Sequence, residues 1–86
     1  MFNLVFIHYE DQVMHTVNLY INESQSENNF QDLKAELMLD SHVANVAFHR
    51  QLPHDMLVEY DESYINPSSI VGQLESHGLH VDVTGG

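Results

Sequence analysis

The residues of this chain that are best suited to chemistry are its histidines and carboxylates. The 86-residue sequence contains seven histidines, thirteen aspartate and glutamate residues, and no cysteine. Imidazole and carboxylate groups together bind zinc, nickel or cupric ions, whereas cuprous ion prefers sulfur ligands. Without cysteine the chain has no disulfides, thiolate metal sites or cysteine nucleophiles. Any metal site in this chain is therefore predicted to use nitrogen and oxygen ligands.

The sequence has no pattern that is typical of an enzyme. Ser24 and Ser26 have no histidine at a spacing that would activate a nucleophile, and both are better suited to capping a helix. Glu59, Asp61 and Glu62 do not predict an acid–base pair, because neighbouring strand residues point to opposite faces and no pocket is implied. We therefore expect a non-catalytic domain.

The charge of the chain restricts its partners. Thirteen acidic residues against two basic ones, Lys34 and Arg50, give a formal net charge of −11. Such a surface repels phosphate backbones, so the charge favours a basic protein partner or a cation and no nucleic acid. The chain has no signal-peptide pattern and no apolar run near the ~20 residues of a membrane span. We expect a single cytoplasmic domain over residues 1–86, without membrane insertion.

The elements that position these residues begin with a predicted hairpin and a helix. Residues 2–9 are rich in β-branched and aromatic side chains, and residues 13–21 alternate between apolar and polar, which is typical of paired strands. After a polar stretch with helix-capping residues, Phe30, Leu33 and Leu37 recur at helical spacing. This pattern predicts a first helix from about residue 26 to residue 39.

The second half of the chain predicts two strands, a helix and a last strand. Ala44, Val46 and Phe48 alternate toward one face, and a second alternating strand with Met56 and Val58 follows a turn at residues 51–54. In the second helix, Asn66 is the predicted N-cap, Pro67 the first helical residue and Gly78 a left-handed C-cap. The last strand is predicted from the alternation of Leu79, Val81 and Val83. The order predicts an α+β fold, a ferredoxin-like split β-α-β sandwich (βαββαβ) with an extra N-terminal β-strand.

A set of residues in this half resembles a known family: Val58, Tyr60, Asp61, Ile65, Pro67, Ile70, Val71, Leu74, Glu75, Gly78, Leu79, Val81 and Val83. The set is similar to the second half of heavy-metal-associated domains, which are ferredoxin-like modules of copper and mercury chaperones and of metal-pumping ATPases. The family's two metal-binding cysteines would fall near Ser24 and Glu27, where this chain has no thiol. The resemblance implies a metal-binding or metal-transport-associated interaction module that has lost its cysteine ligands, with a metal-transporting ATPase or a basic protein as partner.

The resemblance also implies where a metal site would lie. In a ferredoxin-like sheet the first loop, the turn at residues 51–54 and the junction after the second helix lie at one end, where members of this family hold metal. The histidines and carboxylates that this topology gathers there are candidate ligands for zinc, nickel or cupric ion, although none has the HxxxH spacing of a convincing pair. These candidates are Glu23, Glu27, His49, His54, His77 and His80.

Two alternatives to a metal module remain open. The opening hairpin, the helix after it and the terminal Gly85-Gly86 resemble ubiquitin-like or sulfur-carrier proteins, β-grasp folds that act through a C-terminal diglycine. The chain could instead be a purely protein-binding domain, and Tyr20 and Leu57 on the outer sheet face could form a homodimer surface. An adenylating enzyme would be the partner of a diglycine carrier.

Overall fold

The computed structural model describes residues 14–49 and 51–85 of the chain, which form four strands and two helices. The strands make one antiparallel sheet with the order β2-β3-β1-β4. The α+β prediction is confirmed; the predicted strand at residues 2–9 lies outside the described residues. The elements in chain order are β1 (Met14–Ile21), α1 (Glu27–Leu37), β2 (Val43–His49), β3 (Leu52–Asp61), α2 (Pro67–Glu75) and β4 (Val81–Gly85).

Local capping groups fix the ends of both helices. The Ser26 hydroxyl accepts a hydrogen bond from the Asn29 N–H at 3.2 Å, and the Asn66 side chain accepts one from the Ser69 N–H at 2.9 Å, so each helix begins one residue later. Gly78 has a φ of 84°, which confirms the predicted left-handed turn after α2. The first helix ends at Leu37, two residues before the predicted end.

The core lies between the two helices and one face of the sheet. In β1 and β3 the buried side chains alternate with exposed or half-buried ones, and both helices turn their apolar faces toward the same layer. The rings of Phe30 on α1 and Phe48 on β2 stack with centroids 4.5 Å apart. The buried residues are Val17, Leu19, Ile21, Phe30, Leu33, Leu37, Val43, Val46, Met56, Val58, Tyr60, Ile70, Leu74 and Val81.

Two predictions about the β2–β3 hairpin are wrong. A bulge between Val43 and Asn45 changes the alternation of β2, so that Val43 is buried and Ala44 is exposed. The predicted turn at residues 51–54 is shorter, because β3 begins at Leu52 and includes Pro53. Proline is tolerated there because the pairing of β3 with β1 begins only at Asp55.

The other face of the sheet carries neither helix. By strand alternation, the side chains on this open face belong to the residues between the buried positions of β1, β2, β3 and β4. Neither helix in the described part of the chain is long and apolar enough to cross a membrane.

Candidate functional site

Two of the predicted ligands, Glu23 and His80, are in contact. Glu23 lies in the loop after β1, and His80 directly precedes β4. The two residues meet because the end of β1 and the start of β4 are neighbours in the sheet. One carboxylate oxygen of Glu23 accepts from the His80 backbone N–H at 2.9 Å, and the other accepts from the His80 ring Nδ1–H at 2.5 Å. Both side chains are partly open to solvent, with 37% of Glu23 and 79% of His80 exposed.

This contact shifts both groups toward their charged forms. The hydrogen bond from the His80 ring, reinforced by the bond from its backbone N–H, lowers the pKa of the Glu23 carboxyl from 4.5 to about 2. The same hydrogen bond and the negative charge of Glu23 raise the pKa of His80 above its ordinary value of 6.5. The contact therefore joins the β1–α1 loop to the start of β4 and favours the carboxylate form of Glu23 and the imidazolium form of His80.

The other predicted histidines have separate partners. The Nδ1–H of His54 donates to the Ile21 carbonyl at 2.7 Å, and its ring stacks on Tyr20 with centroids 5.0 Å apart. His77 pairs with Glu36 on α1. At the end of β2, the His49 ring nitrogen accepts from the Gln51 N–H at 3.3 Å, while Glu27 is the first residue of α1.

The structure thus brings Glu23 and His80 of the predicted set into contact. Among residues 14–49 and 51–85, no group of three or more histidine, aspartate or glutamate side chains is arranged to hold a metal ion. Two histidines that were not predicted as ligands also pair with acids: His15 with Glu62 at 2.9 Å, and His42 with Asp40 at 3.1 Å. Both of these pairs lie near the start of β1 and the end of β3, at the other end of the sheet from Glu23 and His80.

The open face of the sheet contains a shallow cavity. Its volume is about 440 Å³, and its lining combines apolar and polar side chains. Leu57 is half-buried in the middle of the face, and Leu52 at one end is 51% exposed. The residues that line the cavity from the open face come from all four strands: Asn18, Ala47, His49, Leu52, Asp55, Leu57 and Thr84.

The open face is also acidic. Asp55, Glu59 and Asp61 lie with Leu57 on the open face of β3, where every second residue shares a face, and Asp82 lies on the same face of β4. Among the described residues the only lysine or arginine is Lys34, which belongs to α1 in the helix layer. An apolar centre with carboxylates around it suits a ligand that is both apolar and cationic.

Sequence reasoning missed part of this surface. Tyr20 and Leu57 were predicted to lie on the outer face, but the cavity was not predicted. Its lining depends on which residues of β2 pair with which residues of β3, and local sequence patterns do not encode that register. Glu36 was missed as the partner of His77 because the two are 41 positions apart. Comparison of the sequence with known protein families and with curated proteins gives no match.

Proposed function

We propose that this chain is a non-catalytic interaction module that binds a basic amphipathic protein segment on the open face of its sheet. The observation that carries the proposal is the cavity with Leu57 at its centre, on a face that neither described helix covers and that carries the carboxylates of Asp55, Glu59 and Asp82. A helix with leucine-like side chains along one stripe and lysine or arginine on both sides is the natural third layer for such a sheet.

The energetics of this proposal divide between two kinds of contact. Burying Leu57 and Leu52 against a partner contributes about 25 cal/mol for each Å² of apolar surface removed from water. The carboxylates select a partner of positive charge and speed its approach. They add little affinity, because exposed charge pairs contribute only about 0.2–1 kcal/mol each. The formal charge of −11 disfavours a second copy of this chain on the same face.

The finer fold assignment belongs to the same proposal. We infer a ferredoxin-like split β-α-β sandwich, which is supported by the element order, the sheet order β2-β3-β1-β4 and one core shared by both helices. With the resemblance to heavy-metal-associated domains, this favours a domain of a metal-transporting ATPase as the source of the basic segment. We propose the cytoplasm as the compartment.

Binding of a designed peptide tests the open face. The probe is an amphipathic helical peptide of about eighteen residues built from leucine and lysine, and its counterpart with glutamate in place of lysine is the negative control. We expect amide shifts of Ala47, Leu57 and Thr16 in nuclear magnetic resonance spectra of the labelled protein. The variant Asp55→Asn/Glu59→Gln should bind about threefold to tenfold more weakly at low ionic strength.

The matched control is Asp32→Asn/Glu75→Gln, which removes the same charge from the two helices in the helix layer. Equal weakening by both variants would mean that only the overall charge attracts the peptide, and it would refute an open-face site. Shifts confined to other parts of the protein would refute it as well.

Divalent metal binding at Glu23 and His80 is a second candidate. It is supported by the contact of these two side chains, which are a carboxylate and an imidazole suited to zinc, nickel or cupric ion. The metal would displace the Nδ1 proton of His80 and recruit water or a further donor. Titration with nickel should broaden the amide signals around both residues in the unmodified protein and leave Glu23→Gln/His80→Gln unaffected. Broadening that persists in the variant would refute this site.

The ubiquitin-like alternative has less support. Gly85 belongs to β4 opposite Asn18, and a Cβ at this position would lie 3.1 Å from the Asn18 side-chain nitrogen. A side chain at position 85 would therefore require the Asn18 side chain to move slightly. A diglycine that enters an adenylating enzyme would first have to leave the sheet.

A further inference from the structure

A second surface of the protein lies at the β4 edge of the sheet, away from the open face. It is a groove of about 380 Å³ between α2 and β4. Its walls are one side of the helix, with Val71, Gly72 and Glu75, and the helix-facing residues of the strand, Val81 and Val83. Val83 is 53% exposed although it faces the helix layer, because no further strand of the described chain lies beyond it.

The backbone of β4 specifies the kind of ligand that fits this edge. The Asn22 N–H donates to the His80 carbonyl at 2.8 Å, and the register continues with Tyr20 opposite Asp82. Bonded and non-bonded pairs alternate along an antiparallel ladder, so His80 and Asp82 bond toward β1. The N–H and C=O groups of Val81 and Val83 therefore point away from β1, where an added strand would find them.

The helix wall of the groove carries a glycine that the fold itself does not require. Gly72 lies inside α2, where glycine is less favourable than alanine, and a Cβ on it would meet no atom within 4 Å. Its backbone has no positive φ. The missing side chain leaves room beside Val71 for a ligand side chain that descends from the edge.

We propose that β4 receives an extended basic segment of another protein as an additional strand. Side chains of the segment on the helix side enter the groove against Val71, Val81 and Val83, and must be apolar. Side chains on the other side lie next to Asp82, where lysine or arginine forms a favourable cross-strand pair. Glu75 at the helix wall favours the same sign of charge.

Charge selects this partner over a second copy of the chain. A symmetric β4–β4 pair would place the Asp82 carboxylates of both copies on one face, and each copy has a formal charge of −11. The other edge strand, β2, suits strand addition less well, because its pairing is irregular near both ends. The β4 proposal does not depend on a ligand at the open face.

Selection from a displayed library of random peptides about ten residues long tests the proposal on the full-length protein. We expect enriched peptides that alternate apolar with basic residues and that shift the amide signals of Val81, Val83 and Gly72. Val83→Pro removes a backbone N–H that points away from β1 and makes no hydrogen bond to that strand. The substitution should lower the affinity of the enriched peptides about tenfold. Gly72→Leu, which fills the groove from the helix side, should lower it to a similar extent.

The control Gln31→Leu adds the same side chain at an exposed position of α1 and should leave the affinity unchanged. Failure to enrich any peptide, or enriched peptides that shift only open-face amides, would overturn the proposal. Slow hydrogen exchange of the Val81 and Val83 amides in the free monomer would also overturn it, because part of the chain would then already occupy the edge. If the protein instead forms a concentration-dependent dimer in which the amide signals of Val81 and Val83 disappear, the edge binds a second copy of the chain.

Discussion

Substitution of alanine for Gly72 in α2 and for Gly78 after it should change the free energy of unfolding in opposite directions. Gly72 lies within the helix, and a Cβ there has no neighbour within 4 Å. Alanine is about 1 kcal/mol more favourable than glycine inside a helix, so Gly72→Ala should stabilise the protein by roughly that amount. For a domain of this size the Tm should rise by about 4–8 °C.

Gly78 should respond in the opposite direction. Its φ of 84° lies in the left-handed region, where a Cβ costs about 1–2 kcal/mol. Loss of the unfolded-state freedom of glycine offsets about 0.4–1 kcal/mol of this cost. We therefore expect Gly78→Ala to lower the free energy of unfolding by up to about 1.6 kcal/mol, although its Cβ would also meet no atom within 4 Å.

Urea denaturation of the three proteins, followed by circular dichroism, measures both changes with one method. A lower stability of Gly72→Ala would refute the reasoning, because it would mean that the Cβ of residue 72 meets a neighbour. The groove between α2 and β4 would then be closed in solution. A gain of stability in Gly78→Ala would refute the left-handed conformation at the end of the helix.

Three further predictions concern the cap, the core and the loop contact. Asn66→Ala should lower the free energy of unfolding by about 1 kcal/mol through loss of the α2 cap, whereas Ser68→Ala on the same helix should have little effect. Leu74→Ala, at a core position that is 1% exposed, should cost about 2–5 kcal/mol in the same denaturation assay. Glu23→Gln should reduce stability most between about pH 4.5 and 6.5, where both shifted groups are charged. The Glu23 contribution is lost as the pH falls toward about 2, and that of His80 as the pH rises above its raised pKa, so a pH-independent difference would contradict the ion pair.

The parts of the fold that could be predicted from sequence are those with local causes. The cap of α2 depends on Asn66 and its neighbour Pro67, and the left-handed turn depends on Gly78 alone. The face of Ala44 could not be predicted, because a bulge that shifts β2 depends on which residues of β3 it pairs with. The same limit applies to β3, where Pro53 suggested a turn although it precedes the stretch paired with β1.

The candidate site depends even more on distant contacts. Topology alone was enough to group Glu23 with His80, because the ends of β1 and β4 are neighbours in the sheet. It was not enough to find the partners of His77 and His54, which are set by the packing of helix against helix and strand against strand. The histidine count indicated metal chemistry, whereas in the fold most described histidines are hydrogen-bonded or paired individually.

The two proposed binding surfaces are the parts of the sheet that the two helices do not cover. The two helices cover one face of the four-stranded sheet, and no other described residue of the chain covers the opposite face or pairs with the β4 edge. An acidic chain with one described lysine gives both surfaces the same preference for cationic partners. They differ in the partner's backbone: the face offers side chains to a preformed helix, whereas the edge offers the N–H and C=O groups of Val81 and Val83 to an extended segment. A single basic protein could therefore engage both only if it presents a helix and a strand.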